Sequence, residues 1–470
     1  MNYSADAGKS EHTLPAPEQA VGNLNVFRTK MFNTFTGRKR ALVNIVDALC
    51  LFPGPVDCVA HLSLACPDGL NYGTLYAGLT NAKVNQDGLT GLLMETSFAP
   101  GMENVYSVDA TSYIRPDCNT VDGLSMVYDS SKKGTPADAG WQYQFVVRQS
   151  HRGGSWGVPV RVDRIVAGQN KHVLNLEQLT QIAALHEGSH PPLVVFDGGY
   201  SASQLTYDIR KANIDLQVLV RVDSSRVWYE KMAEPAGPRL QGRPQTHGRR
   251  LECASPHTDY DLGVSFTRAQ HGQVTVVAYN NYHQKITSQV SDFGNVDKKQ
   301  MSGVNGVLLH VTCTDSRKGM RDMWLFYSGS MDTIDLKFLF DSYVHRFDIE
   351  HFFRFCKQTL GLASAKLSTA KATDTWVTCI MCAYVHLWLA RGAVDVCKHP
   401  WEKTMSKARS TPGRARRVIN LCWNKLIKLP SVAKTYKGGT GRVKGAKNTP
   451  RTQHETYIAP PRKYVKTKKR

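Results

Sequence analysis

A chain of 470 residues, 41% of them apolar, is long enough for roughly two or three domains with sizeable cores, which excludes a disordered or disulfide-stapled mini-protein. No apolar run approaches the length of a membrane span, and Met1 to Leu14 is polar, so neither a membrane partner nor a secretion signal is expected and the chain should stay in the cytosol. The net charge of +20 is a tail: residues 401–470 hold 20 Lys and Arg against two acids, leaving only +2 for the rest.

Residues 1–22 are expected to be disordered and 23–100 to form a small helical domain. Arg38 to Leu51 places Leu42, Ile45, Val46 and Leu49 on one face, behind the basic turn Gly37-Arg38-Lys39-Arg40. Such a bundle can bind DNA, although no helix-turn-helix is assignable. The pattern changes to strands at Asn104, and residues 101–222 read as the first part of an α/β core. A strand from Val105 runs into Asp109. Trp141 to Gln149 and Trp156 to Val166 read as a hairpin around His151-Arg152-Gly153-Gly154-Ser155. Asn175 to Glu187 is an amphipathic helix, Leu193 to Phe196 a buried strand closed by Asp197 and the turn Gly198-Gly199, Ser201 to Ala212 a helix, and Leu216 to Val222 a strand.

Residues 223–341 read as a β-rich insertion, with strand-like runs at Gln273 to Tyr279, Gly306 to Thr312 and Met323 to Tyr327. The basic stretch Gly242-Arg243-Pro244 beside His247-Gly248-Arg249-Arg250 suits either a minor groove or a plain surface loop. Residues 342–400 return to the core. One helix is expected to carry Tyr343, Arg346, Glu350 and Lys357 at offsets of 3, 7 and 14, close to a single stripe. A second, apolar helix from Thr373 to Leu389 has Trp376, His386 and Trp388 as core residues rather than ligands. Residues 401–470 are a largely disordered basic tail, in which Arg442 and Lys444 are candidate phosphate contacts; a solvated tail with no partner is the alternative. The eleven cysteines read as reduced thiols, and the pair Cys379 and Cys382 has no second pair at zinc spacing.

One carboxylate flanked by an aromatic hydroxyl and two cations, preceded by two strands that run into Asp109 and Asp197, resembles the DDE superfamily transposases of insertion sequences that carry the Tyr-Arg-Glu-Lys signature. The resemblance spans roughly residues 25 to 450 and is sharpest from Arg346 to Gly361. It implies an RNase H-like core preceded by the helical domain and interrupted by the β-rich insertion. It also implies Asp109, Asp197 and Glu350 as catalytic ligands of two Mg²⁺ ions, with Mn²⁺ as a substitute and Asp109 bridging. Carboxylates suit hard divalent ions, which can activate an oxygen nucleophile and stabilise a leaving oxygen together.

Tyr343, Arg346 and Lys357 would then hold phosphates of double-stranded DNA at the transposon end. The expected activity is cleavage at terminal inverted repeats and joining of the 3′-hydroxyl ends to target DNA, by a homodimer holding paired ends, in a prokaryotic, nucleoid-associated setting. Two other readings stand beside it. One is a transposase-derived protein that binds DNA without cutting it. The other is a serine hydrolase, since Gly153-Gly154-Ser155-Trp156-Gly157 fits a nucleophile elbow, but the strand expected after Ser155 favours a turn there.

Overall fold

The computed structural model describes residues 17–97, 104–116, 118–128, 136–150, 156–169, 171–231, 247–285, 303–315, 321–392, 411–423, 445 and 452–458. Five helices open the chain: α1 (Pro17–Thr34), α2 (Lys39–Leu51), α3 (Val59–Leu62), α4 (Tyr72–Thr80) and α5 (Gln86–Ser97). A ribbon of β1 (Phe35–Gly37) and β2 (Lys83–Val84) joins them. Every residue of α2 from Ala41 to Cys50 is buried, polar Asn44 and Asp47 included. Asp47 is matched by the buried Arg28 of α1, which satisfies the carboxylate away from water.

The central strands are β3 (Val105–Ile114), β4 (Ser125–Val127), β5 (Asp138–Gln149) and β6 (Gly157–Ile165). After α6 (Lys171–Ala184) come β7 (Leu193–Phe196), α7 (Ala202–Lys211) and β8 (Gln217–Val222). β5 lies antiparallel between β6 and β3, and β3, β7 and β8 run parallel. This order, β6-β5-β3-β7-β8 with crossover helices after β6 and β7, is consistent with an RNase H-like nuclease core. All four residues of β7 are apolar and buried, as a parallel strand covered on both faces requires.

The inserted residues build β9 (Val227–Glu230), β10 (Arg250–Glu252), β11 (Leu262–Arg268), β12 (Gly272–His283), β13 (Gly306–Cys313) and β14 (Asp322–Tyr327). These strands do not form a separate barrel or sandwich. β14 pairs antiparallel with β8, so core and insertion share one twelve-stranded sheet.

Three helices follow: α8 (Leu336–His345), α9 (Asp348–Gln358) and α10 (Ala370–Ala390). The single helix expected to carry Tyr343 through Lys357 is therefore two. Arg346 and Phe347 form a tight turn whose N–H groups reach back only three residues, to Tyr343 O and Val344 O. The other correction concerns Asp109, which does not end its strand. β5 supplies partners for β3 as far as Gly140 opposite Ile114, so β3 continues five residues beyond Asp109.

Three apolar clusters hold the layers. Residues of α1 to α5, one face of β5 and β6, α9 and α10 form a single cluster. α6 and α7 cover the opposite face of β3, β7 and β8, and α8 packs on the inserted strands. Within α10, Cys379, Cys382 and His386 are fully buried; burial raises both thiol pKa values and lowers that of His386 to about 3. The nine cysteines from Cys50 to Cys382 are free, and among the described residues no helix is long and apolar enough to cross a membrane.

Parts of the stretch expected to be a disordered tail are folded onto the core. α11 (Pro412–Cys422) buries Ala415 and Ile419, and Arg416 donates to Leu49 O at 2.9 Å and to Gly54 O at 2.8 Å. Tyr457 pairs with the β4 edge, accepting from Met126 N at 3.1 Å and donating its own N–H to Leu124 O at 2.9 Å. The cause is simple: these segments carry apolar side chains and donors for which the core has room. Arg442, Lys444, the terminal basic run and Ser155 lie outside the described residues.

Gly361, just after α9, ties the helices to the opening segment. Its φ is +74°, and an added Cβ would lie 2.2 Å from the backbone oxygen of Val56. Gly361→Ala is expected to lower unfolding stability by about 2–4 kcal/mol, from left-handed strain plus the clash, as read by urea denaturation.

Candidate active site

Strand register sets the site. Val108 of β3 stands opposite Phe196 of β7, and Phe196 opposite Val220 of β8. The next residues, Asp109, Asp197 and Arg221, therefore sit at one level on three adjacent parallel strands. Alternation sends Val108 and Val220 toward α6 and α7, so Asp109 and Arg221 face the other side, where α8 and α9 lie. β7 ends at Phe196 because the turn begins at once: Tyr200 N–H bonds to Asp197 O at 3.1 Å.

α9 is placed by its apolar stripe. Ile349, Phe352, Phe353 and Cys356 are buried, with the Phe352 and Phe353 rings 5.2 and 5.5 Å from that of Phe145 on β5. Glu350 is left at the rim of this stripe, beside the strand ends. α8 is fixed by Gln149, whose buried amide donates to Ser107 Oγ on β3 and to Ser342 O, both at 2.9 Å.

All three carboxylates converge on one group, the Arg346 guanidinium at the turn between α8 and α9. Its Nη1 is 3.7 Å from Asp109 Oδ2, and its Nη2 is 3.8 Å from Asp197 Oδ1 and 3.3 Å from Glu350 Oε1. The Arg346 side chain is only 4% exposed, whereas those of Asp109, Asp197 and Glu350 are 29%, 42% and 44% exposed. The cation is the floor and the carboxylates are the rim. Burial works against the Arg346 charge, but Asp197, Tyr343, Asp109 and Glu350 outweigh it and hold its pKa above the ordinary value. Among the described residues no three His, Cys, Asp or Glu side chains stand close enough together to hold a metal ion as they are.

Asp109 is perturbed by its surroundings. Burial drives its pKa up to about 6, and the nearby Asp197 and Glu350 add to the rise; the Ala110 N–H, at 2.8 Å, and Arg346 oppose it. A carboxyl whose folded pKa is raised contributes stability below its unfolded pKa, near 4, and loses it as pH climbs through 6. Asp109→Asn is accordingly expected to stabilise the chain by about 1–2 kcal/mol at pH 7 in a chelator, a gain that shrinks toward zero at pH 4. Thermal melts across that pH range provide the measurement; a destabilised variant at pH 7 would contradict the assignment.

The remaining candidates separate. Tyr343 is 1% exposed, packed in the cluster under α8, with the Arg346 guanidinium carbon 5.8 Å from its ring centroid. Burial raises its pKa, and Arg346 and Arg221 hold that rise back. Its hydroxyl is buried near the two arginines rather than turned to solvent. Lys357 lies two turns beyond Glu350, about 10 Å along α9, and is half-buried. Asp348 points away, with an oxygen 3.5 Å from His345 Nδ1.

Sequence reading missed three contributors. Arg221 carried no signal without the register of β8. Tyr200 donates to Gln144 Oε1 at 3.1 Å, and the Gln144 amide donates to Asn175 and Gln178 of α6, each at 2.8 Å, which braces the turn carrying Asp197. An aromatic directly after the Gly198-Gly199 pair was the only trace of this in the sequence.

A mixed sheet that brings acidic side chains together beside its central parallel strands is consistent with a nuclease core. Residues 30–284 match the family described as DDE superfamily endonuclease, more than half of the chain, and the chain belongs to that family. The match includes Asp109 and Asp197 and stops short of Glu350. No curated protein matches the chain. Among solved structures it is similar to a piggyBac transposase in a synaptic complex with hairpin DNA, with a TM-score of 0.38 and 9% identity over 86% of this chain and 79% of that one.

Proposed function

We propose that this endonuclease is a transposase, which cleaves DNA at the terminal inverted repeats of its element and joins the freed 3′-hydroxyl ends to target DNA. The observation that carries the reading is the meeting of Asp109, Asp197 and Glu350 at one point, from two adjacent strands and a helix, across 241 positions of sequence from the first to the last. Membership of the endonuclease family supports the chemistry, and the accessible rim of the three carboxylates supports a large substrate.

The donor set fits hard divalent cations: three carboxylates, partly exposed, with no thiol or imidazole among them. Asp109, Asp197 and Glu350 would hold two Mg²⁺ or Mn²⁺ ions, which when bound supply an activated oxygen nucleophile and stabilise the leaving oxygen. The protein's own groups do the rest. Arg221, level with the two aspartates, and Lys357, farther along α9, bind phosphates on either side of the scissile bond, Arg as a fork and Lys as a point charge. Tyr200 and Gln144 hold the Asp197 turn against the pull of the substrate, and Gln149 keeps α8 from drifting off β3. A homodimer would hold two ends together, and the basic residues Arg442 and Lys444 would add phosphate contacts that weaken as salt rises.

The test is Mg²⁺- or Mn²⁺-dependent cleavage of DNA carrying the repeats that flank this gene, comparing the parent chain with Glu350→Gln. Nicking at the repeat boundary that disappears in the variant supports the transposase. Binding without cleavage in either metal would replace it with a DNA-binding protein that no longer cuts.

A further inference from the structure

We propose that Arg346 is a built-in counter-ion that occupies the acidic centre in place of divalent metal, so that guanidinium and metal ions compete for the same three carboxylates. The inference rests on the metal-dependent reading above and says what this chain's own residue does there.

The argument starts from the hydrogen bonds that Arg346 does not make. Its Nε and Nη1 are buried without a hydrogen-bond partner, and its oxygens of closest approach stand 3.3 to 3.8 Å away, beyond good hydrogen-bond length for two of the three. A buried guanidinium normally fills its five donors, and leaving the three N–H groups of Nε and Nη1 empty is costly. Arg346 is therefore held by charge rather than by fitted hydrogen bonds. Three negative charges around one point repel strongly unless a cation stands among them, and Arg346 is the cation there.

The same placement explains why the carboxylates do not form a ready metal-binding group. Their oxygens are spread around a guanidinium, whereas Mg²⁺ takes oxygen ligands at about 2.1 Å. A phosphate oxygen offers Arg346 another anion, with the bidentate geometry that its present partners lack. The residue that balances the acids without DNA is thus equipped to bind phosphate once it leaves them.

The expected result is that Arg346→Gln binds Mn²⁺ about tenfold or more tightly than the parent chain, because a positive charge beside the ion is gone. Arg346→Lys, which keeps the charge without the fork, should stay near the parent. Binding is read by Mn²⁺ electron paramagnetic resonance and by calorimetry with the metal alone, and circular dichroism checks that each variant is folded. Asp197→Asn should weaken Mn²⁺ binding in both the parent and the Arg346→Gln backgrounds. Equal or weaker Mn²⁺ affinity in folded Arg346→Gln, with binding still dependent on Asp197, would overturn the competition and leave the metal centre standing. No Mn²⁺ binding by parent or variant would overturn the metal-dependent reading and this inference with it. Should Arg346→Gln not fold, Arg346→Met serves the same comparison, since it retains the apolar stem and removes the charge.

Discussion

Glu350→Gln is expected to lower metal-dependent DNA cleavage by at least about a thousandfold while leaving the fold intact. The substitution keeps the side-chain length and an oxygen that still accepts from Arg346 Nη2, now 3.3 Å from Glu350 Oε1. Glu350 is 44% exposed on the first turns of α9, outside the Phe352 stripe, so stability should move by no more than about 0.5 kcal/mol. What changes is the ligand set: one of three carboxylates loses its charge, and hard cations bind amides more weakly than carboxylates. Single-turnover cleavage of a repeat-end duplex, paired with a binding titration on the same DNA, separates the loss of chemistry from a loss of affinity. Cleavage retained within tenfold of the parent would remove Glu350 from the site.

The second large effect is structural. Trp376→Ala, in the second turn of α10, should destabilise the chain by about 3–5 kcal/mol. Trp376 is fully buried and its indole N–H donates to Gly361 O at 3.2 Å. It belongs to the cluster that joins α1 to α5 with β5, β6 and α9. The expectation is one cooperative transition, in which the helical signal and the tryptophan fluorescence of the sheet are lost together at lower denaturant. Two separated transitions, with only the C-terminal part destabilised, would instead mean that residues 23–100 fold as an independent domain.

Much of the site was legible before any coordinates because it depends on local pattern. Leu193 to Phe196 is a short apolar run stopped by Asp197 and two glycines, a sequence with one sensible reading as a buried strand and turn. The offsets among Tyr343, Arg346 and Glu350 kept those residues near one stripe even though the helix breaks between them, because a three-residue and a four-residue step both stay on one helix face. The break itself was not legible. No proline or glycine marks Arg346-Phe347, the turn at which α8, packed on the inserted strands, gives way to α9, packed on β5. Sequence likewise placed a β-rich insertion after β8 but not its attachment, since the pairing of β14 with β8 is a long-range choice that period-two alternation does not encode.

By itself, then, the sequence determined the apolar patterns of strands and helices and the concentration of positive charge after residue 400, which follow from periodicity and composition, while the acids of the centre were singled out by resemblance. Tertiary structure decided how those residues meet. Register put Asp109, Asp197 and Arg221 at one level, the turn after α8 set Arg346 beneath the three acids, and packing under α8 buried Tyr343. Electrostatic balance at a buried point depends on distances between groups far apart in the chain, and only the folded arrangement fixes those distances.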